Sequence, residues 1–191
     1  MFLPGSVALF SLQMIGKEKR MKYHGIFQNS ISPKRIWLAK ILVCCLLVFA
    51  TNFIFCLGTI VGGVVLGTNI SIANSMLASI VLTTSCLWMI PILMFLAMKF
   101  GLLMCILGSV GATMAGVIAL ADGRYWWTFL PAIPVRLMCP ILKVMPNGLQ
   151  VVAGSYCDDG KVLFSGIMIT LVFFGLFTTL TTKWFGKKEE I

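Results

Sequence analysis

The side chains that usually carry out chemistry are sparse in this sequence, and they are not clustered. Its single histidine, His24, lies far from any grouped nucleophile or carboxylate, which disfavours acid–base and nucleophilic catalysis. There is no CxxC pair and no cysteine–histidine ligand spacing, so no metal site is predicted. The GxxxxGK[ST] phosphate loop is also missing. We therefore expect a protein that is not an enzyme and that binds no cofactor itself.

The composition is that of a membrane protein. Of the 191 residues, 59% are hydrophobic and only 11% are charged, whereas about 25% of residues are charged in an average soluble domain. A soluble fold could not bury so much apolar surface. No polar stretch is long enough to form a second, soluble domain, so residues 1–191 are predicted to form a single membrane domain.

Four apolar runs are long enough to cross a bilayer as helices, which takes about 20 residues. They cover residues 41–66, 77–98, 101–121 and 162–182. The second and third runs are nearly continuous, and a single helix of that length would overshoot the membrane, so a tight turn is expected at Lys99. Residues 2–15 are apolar but too short to span, and we expect a partial N-terminal helix there. The predicted fold class is all-α, a polytopic transmembrane helix bundle with four full spans.

The basic residues predict the orientation of these spans. Seven of the 15 Lys and Arg residues lie within residues 17–40, called the basic loop below. The link at residues 67–76 has none, the turn has Lys99, and the tail after the last span has three lysines. Under the positive-inside rule, the basic loop, Lys99 and the C-terminus are cytoplasmic and residues 122–161 are extracellular. The same rule accounts for the net charge of +9 without a nucleic-acid partner.

The basic loop has a pattern beyond its charge. Tyr23, Ile26 and Phe27 stand at near-helical spacing among polar residues, and Ser32 and Pro33 then interrupt the chain before the first span. This pattern predicts a short amphipathic helix on the cytoplasmic surface, suited to the membrane interface or to a partner protein. The simpler alternative is a charged loop that only sets the topology.

The order of residues in this loop resembles the segment between the second and third helices of ABC type 2 export permeases. The similarity rests on Glu18, Gly25, Ile26 with Phe27, Pro33 with Lys34 and Arg35, and Lys40 at the head of a span. In that family the loop holds a coupling helix that docks onto a separate ATP-binding subunit. The resemblance therefore implies that an ATPase partner supplies the ATP site, and that the coupling residues are Glu18, Gly25, Ile26, Phe27 and Pro33.

The distal half is similar to the lantibiotic-immunity branch of these permeases. The similarity lies in the order of residues in the outer segment and in a basic tail. The outer segment contributes Trp126, Trp127, Pro131, Ile133, Pro134, Arg136, Leu137, Pro140, Pro146, Asn147 and Gly148. The tail contributes Lys183, Trp184, Phe185, Lys187, Lys188 and Glu189. The resemblance implies a Pro-rich outer re-entrant segment, and its four prolines favour broken helices. It also implies the cell membrane of a Gram-positive bacterium and a second permease subunit, identical or not. The family usually has six spans, more than are visible here.

The apolar spans suit an amphipathic cargo. None holds Asp, Glu, Arg or His in its interior, which disfavours an ion-coupled carrier. Trp126 and Trp127 are placed either to anchor the outer segment among lipid headgroups or to meet the apolar face of a cationic peptide, whose charges would meet Asp158 and Asp159. Together with these features, the resemblance implies a permease subunit that expels lantibiotic-like peptides from the lipid membrane. The alternatives are a non-transporting accessory or assembly subunit, and a permease for another amphipathic substrate.

Overall fold

The computed structural model describes residues 2–20, 32–65, 71–119, 126–145, 149–151 and 160–187. These residues are helical almost throughout, and the only extended pairing among them is one isolated bridge between Val144 and Gln150. The all-α fold class is therefore confirmed.

Seven α-helices are present in the described ranges. They are α1 (Phe2–Arg20), α2 (Pro33–Val65), α3 (Ile72–Cys86), α4 (Met89–Phe100), α5 (Leu102–Ala119), α6 (Ile133–Leu142) and α7 (Val162–Lys187), and two short 3-10 helices, Trp126–Thr128 and Leu130–Ala132, precede α6. The partial N-terminal helix expected at residues 2–15 is part of α1.

Two of these helices, α2 and α7, are long and apolar enough to cross a membrane. Together, α3 and α4 also pass this test of length and hydropathy as a bent pair. Because a bilayer core requires about 20 apolar helical residues, α2 and α7 indicate an integral membrane protein.

The second apolar run is a pair of helices rather than one straight helix. α3 ends at Cys86 and α4 begins at Met89. Pro91 explains the break, because its ring would clash with the carbonyl group of Leu87 and it offers no N–H to that carbonyl. Instead, the Ile90 N–H donates to the Leu87 carbonyl at 3.1 Å. The carbonyl that proline frees is thus satisfied within the chain.

The turn expected at Lys99 is present. α4 ends at Phe100, and Gly101 takes a φ of 85° before α5 begins. Glycine adopts this backbone conformation without the strain that a Cβ would cause. The Gly101 N–H donates to the Ala97 carbonyl at 3.1 Å and closes the end of α4. Two helices can therefore follow each other in a nearly continuous apolar sequence.

The chain contains two compact units. Unit 1 comprises Met1–Val48, Leu87–Val110 and Val172–Ile191, and unit 2 comprises Phe49–Cys86 and Gly111–Leu171. In unit 1, α1 packs against α4. Val7, Ser11 and Ile15 are buried at intervals of four residues, so they share one face of α1.

Unit 2 is built on the packing of α3 against α6. Its buried core consists of Ala78 and Val81 from α3 with Ile133, Leu137 and Ile141 from α6. The spacing of four residues between the α6 members puts them on one helical face. The two 3-10 helices and α6 together make up the Pro-rich segment, residues 126–142. The α3–α6 core holds this segment in place.

The Pro-rich segment is a run of short helices, as its prolines predict. In α6, Pro134 lies in the first turn and Pro140 inside the helix. The helix ends at Leu142, and Lys143 after it is left-handed with a φ of 56°. Gly116 lets this segment approach α5 closely, because a Cβ at that position would stand 2.9 Å from the Ala132 nitrogen. A larger residue would force the two backbones apart.

Candidate functional site

Two of the residues predicted to couple the chain to an ATPase lie in the described ranges. Glu18 belongs to the last turn of α1, and Pro33 is the first residue of α2 and is buried. Proline suits this position because an N–H there would have no intrahelical acceptor. Gly25, Ile26 and Phe27 lie outside the described residues.

Directly after Pro33, α2 is joined to α7 by an aromatic contact. Trp37 is fully buried, and its ring stacks on Phe185 with centroids 4.7 Å apart and an interplanar angle of 22°. Its Nε1–H donates to the Thr181 hydroxyl at 3.1 Å. That hydroxyl donates its own proton to the Phe177 carbonyl at 2.7 Å, so its oxygen is available to accept from Trp37.

Basic side chains surround this contact. The Lys40 Nζ lies 6.0 Å from the Phe185 ring centroid, within the range of a cation–π interaction. The aliphatic stem of Lys34 lies against Gly186, where an added Cβ would stand 2.6 Å from the Lys34 Cε. Lys34 and Arg35 are exposed, so the stem packs on the protein while the charge stays solvated. Trp37, Thr181, Phe185 and Lys40 form what we call the Trp37 cluster.

The two tryptophans predicted to contact cargo or the membrane interface have different surroundings. Trp126 is half-buried and packs against the α3–α6 core, whereas Trp127 is 52% exposed. Trp126 therefore anchors its 3-10 helix within unit 2, and Trp127 is the ring available to a ligand or to lipid. Asp158 and Asp159 lie outside the described residues.

A hydrogen-bonded polar group that is not among the residues predicted above lies inside α2. Asn52 is only 4% exposed, and its Nδ2 donates to the Thr83 hydroxyl at 2.6 Å and to the Ser79 carbonyl at 2.8 Å. Such bonds join helices in apolar surroundings, where water does not compete. We call these three residues the Asn52 network. The signal was present in the sequence, since Asn52 is the only amide side chain in the four apolar runs.

A pocket of about 300 Å³ opens beside this network. Its walls come from α2, α3 and α6 and include Asn52, Phe55, Thr59, Leu82, Met138 and Leu142. This volume lies at the lower end of the range for ligand pockets, about 300–1,000 Å³. The Thr59 hydroxyl is turned toward the protein and donates to the Cys56 carbonyl at 2.8 Å. The pocket therefore presents mainly hydrocarbon to an occupant.

No protein-family model, curated protein or solved structure matches this chain. Within the described ranges, no group of three or more His, Cys, Asp or Glu side chains is placed to hold a metal ion.

Proposed function

We propose that this chain is the permease subunit of an ATP-binding-cassette exporter that expels lantibiotic-like peptides from the cell membrane of a Gram-positive bacterium and so confers immunity. In this proposal a separate ATPase subunit binds ATP, and a second permease subunit, identical or not, completes the pathway. The observation that supports it best is the Trp37 cluster.

A coupling element must be mechanically connected to the helices that it moves. Pro33 begins α2 at the end of the basic loop, and four residues later Trp37 is stacked on Phe185 and bonded to Thr181 of α7. Close-packed side chains transmit displacement because they leave little free volume. A loop that only set topology would need its charges but no buried aromatic anchor, so the cluster favours coupling.

The test of coupling is a charge placed on the apolar face of the basic loop. Phe27→Asp would put a carboxylate into the proposed ATPase groove, where an unpaired charge is strongly unfavourable. ATPase activity should co-purify with the unchanged chain from host membranes and should be lost from this variant. Gln28→Asp adds the same charge one position away and is the control. Equal recovery of activity with both variants would contradict coupling, and no activity with the unchanged chain would contradict the exporter.

The proposal includes four spans, with the basic loop, Lys99 and the C-terminus in the cytoplasm. In a cysteine-free background, Gln28→Cys should be protected from a membrane-impermeant thiol reagent added outside, and Ile72→Cys should react. The opposite labelling pattern would reverse the orientation. Reaction at both positions would mean that the chain does not cross the membrane between them.

Cargo recognition is assigned to the outer segment at residues 122–161. Because Trp127 is exposed, Trp127→Ala should lower survival of cells that depend on the complete transporter during challenge with the cognate cationic peptide. Changing Asp158 and Asp159 together to Asn should do the same through lost charge. Trp126→Ala should instead reduce the amount of protein in the membrane, since Trp126 packs on the α3–α6 core. Unchanged survival in the Trp127 and aspartate variants, at normal abundance with the ATPase bound, would mean that this segment does not select the cargo.

A further inference from the structure

The side chains assigned above to coupling and to cargo contact do not line the pocket in unit 2, although Met138 and Leu142 of its walls belong to the outer segment. We propose that the pocket binds one hydrocarbon chain of a membrane lipid, seated between α2, α3 and α6. This inference depends on the membrane location of the helices and does not depend on export.

The chemistry of the walls selects an apolar occupant. Three polar side chains of the walls already donate to protein acceptors: Thr59 to the Cys56 carbonyl at 2.8 Å, the Cys56 thiol to the Ser75 carbonyl at 3.5 Å, and Asn52 to Ser79 and Thr83. A ligand acceptor would have to displace one of these bonds and leave a protein oxygen without its donor. A hydrocarbon chain leaves all of them intact.

The position of the pocket along α2 indicates where the occupant comes from. From Ile41, where the apolar run begins, Asn52 lies about 17 Å and Thr59 about 27 Å along the helix axis at 1.5 Å per residue. The hydrocarbon core of a bilayer is about 30 Å thick, so the pocket extends from mid-membrane toward the C-terminal end of α2. Phe55 and Leu142 at its rim are about half exposed. The pocket is therefore open to its surroundings, which at this depth are acyl chains.

A lipid chain fits this environment better than a peptide segment does. A peptide backbone carries N–H and C=O groups, each of which costs several kcal/mol when unpaired in apolar surroundings. Hydrocarbon gains dispersion contacts from walls on three helices. Met138 on α6 is unbranched and flexible, so it can adapt to chains of different shape.

The test is to block the mouth of the pocket with a tryptophan side chain. Thr59 is exposed, so Thr59→Trp can block the mouth without cutting into the α3–α6 core. Val61, on the same helix, is 61% exposed and is not a wall residue, so Val61→Trp is the matched control. Leu142→Trp blocks the mouth from α6 and provides a second variant if the first does not fold.

The probe is a phosphatidylglycerol with a diazirine midway along one acyl chain, incorporated into vesicles with the purified full-length chain. After irradiation, adducts should concentrate on Cys56, Leu82 and Met138 in the unchanged protein and in Val61→Trp. They should be lost in Thr59→Trp and Leu142→Trp, while thermal unfolding of the variants in detergent stays cooperative. Adducts that persist in both blocked variants, or that spread evenly over the exposed faces of α2, would overturn the proposal.

Peptide and lipid are separated by competition. If the pocket is a lipid site, a cationic amphipathic peptide added before irradiation should leave the adducts unchanged. Stoichiometric loss of the adducts would assign the pocket to an apolar side chain of the peptide and overturn the lipid assignment. Neither result affects the co-purification test with Phe27→Asp, so failure of this proposal can be told apart from failure of the exporter proposal.

Discussion

The two units join their helices by different interactions. In unit 1, α2 meets α7 through Trp37, which stacks on Phe185 and makes one hydrogen bond to Thr181. In unit 2, α2 meets α3 through Asn52, whose amide donates to Thr83 and to the Ser79 backbone carbonyl. The first contact has a large area and one polar group. The second consists of several directional hydrogen bonds from one small side chain.

The difference follows the surroundings of each contact. Trp37 lies near the charged start of α2, beside Lys34 and Lys40, where an aromatic ring with an N–H suits a boundary between apolar and polar regions. Asn52 lies within an apolar run, where a buried amide must find partners and hydrogen bonds hold helices together. Unit 1 should therefore depend most on contact area, and unit 2 on close backbone approach and hydrogen bonding.

The largest effect is expected from Trp37→Ala. Removing a fully buried tryptophan leaves a cavity and removes the stack, which typically costs about 3–5 kcal/mol. The free energy of unfolding, measured by titrating the purified chain with SDS in mixed micelles, should fall by this amount. Trp37→Phe keeps a ring against Phe185 and should lose much less. A small loss in Trp37→Ala would mean that the Trp37 cluster does not stabilise unit 1.

The next effect tests close packing in unit 2. In Gly116→Ala, the new Cβ would stand 2.9 Å from the Ala132 nitrogen and 3.0 Å from the Pro131 carbonyl carbon, both backbone atoms that cannot rotate away. We expect a loss of about 1–3 kcal/mol in the same unfolding assay, as for other overpacked sites. Gly111→Ala on the same helix is the control, since nothing lies within 4 Å of its added Cβ. Equal stability of the two variants would contradict the close approach of α5 to the Pro-rich segment.

Gly116 also shows what the sequence could and could not predict. Runs of apolar residues predicted long helices, and the composition of those runs predicted a membrane protein. The turn at Gly101 followed from length, because one helix could not hold two spans. The need for glycine at position 116 did not follow, since the atoms that it meets belong to residues 131 and 132. The small residues Gly108, Ala112 and Gly116 recur at every fourth position, which favours close packing on that face of α5, but this spacing does not identify the atoms that Gly116 meets.

The candidate sites show the same limit. Trp37 and Thr181 are 144 positions apart in the chain. The sequence around either residue does not predict that they meet. Pro91 lies inside an apolar run, and its position in the first turn of α4 depends on where α3 ends, which the sequence does not show. Asn52 could have been singled out by its type alone, because a lone amide in an apolar run requires partners. The identity of those partners required the structure.

A smaller effect is expected from Asn52→Leu, which keeps the volume and removes the amide. Interhelical hydrogen bonds in membrane proteins contribute about 0.6 kcal/mol on average and up to about 1.7, and this substitution removes bonds to both Ser79 and Thr83. The unfolding free energy should fall by about 1–1.7 kcal/mol. Thr84→Val is the control, because the Thr84 hydroxyl donates within its own helix to Ile80 and Val81. If Thr84→Val lowers the unfolding free energy as much as Asn52→Leu does, the two substitutions do not separate the contact between α2 and α3 from the stability of α3 itself.

The smallest effect is expected from Thr181→Val, which removes the acceptor of the Trp37 N–H and leaves the stack on Phe185 in place. One interhelical hydrogen bond is lost, so the unfolding free energy should fall by about 0.6 kcal/mol. ATPase co-purification should remain, since contact area carries the connection between α2 and α7. A double-mutant cycle with Trp37→Phe identifies the bond, because each single variant removes the same interaction and the double variant should lose less than the sum. Strictly additive losses would mean that Trp37 and Thr181 do not interact. If Thr181→Val lowers the unfolding free energy as much as Trp37→Ala does, the hydrogen bond stabilises unit 1 more than the ring does. The contrast between the Trp37 cluster and the Asn52 network would then be wrong.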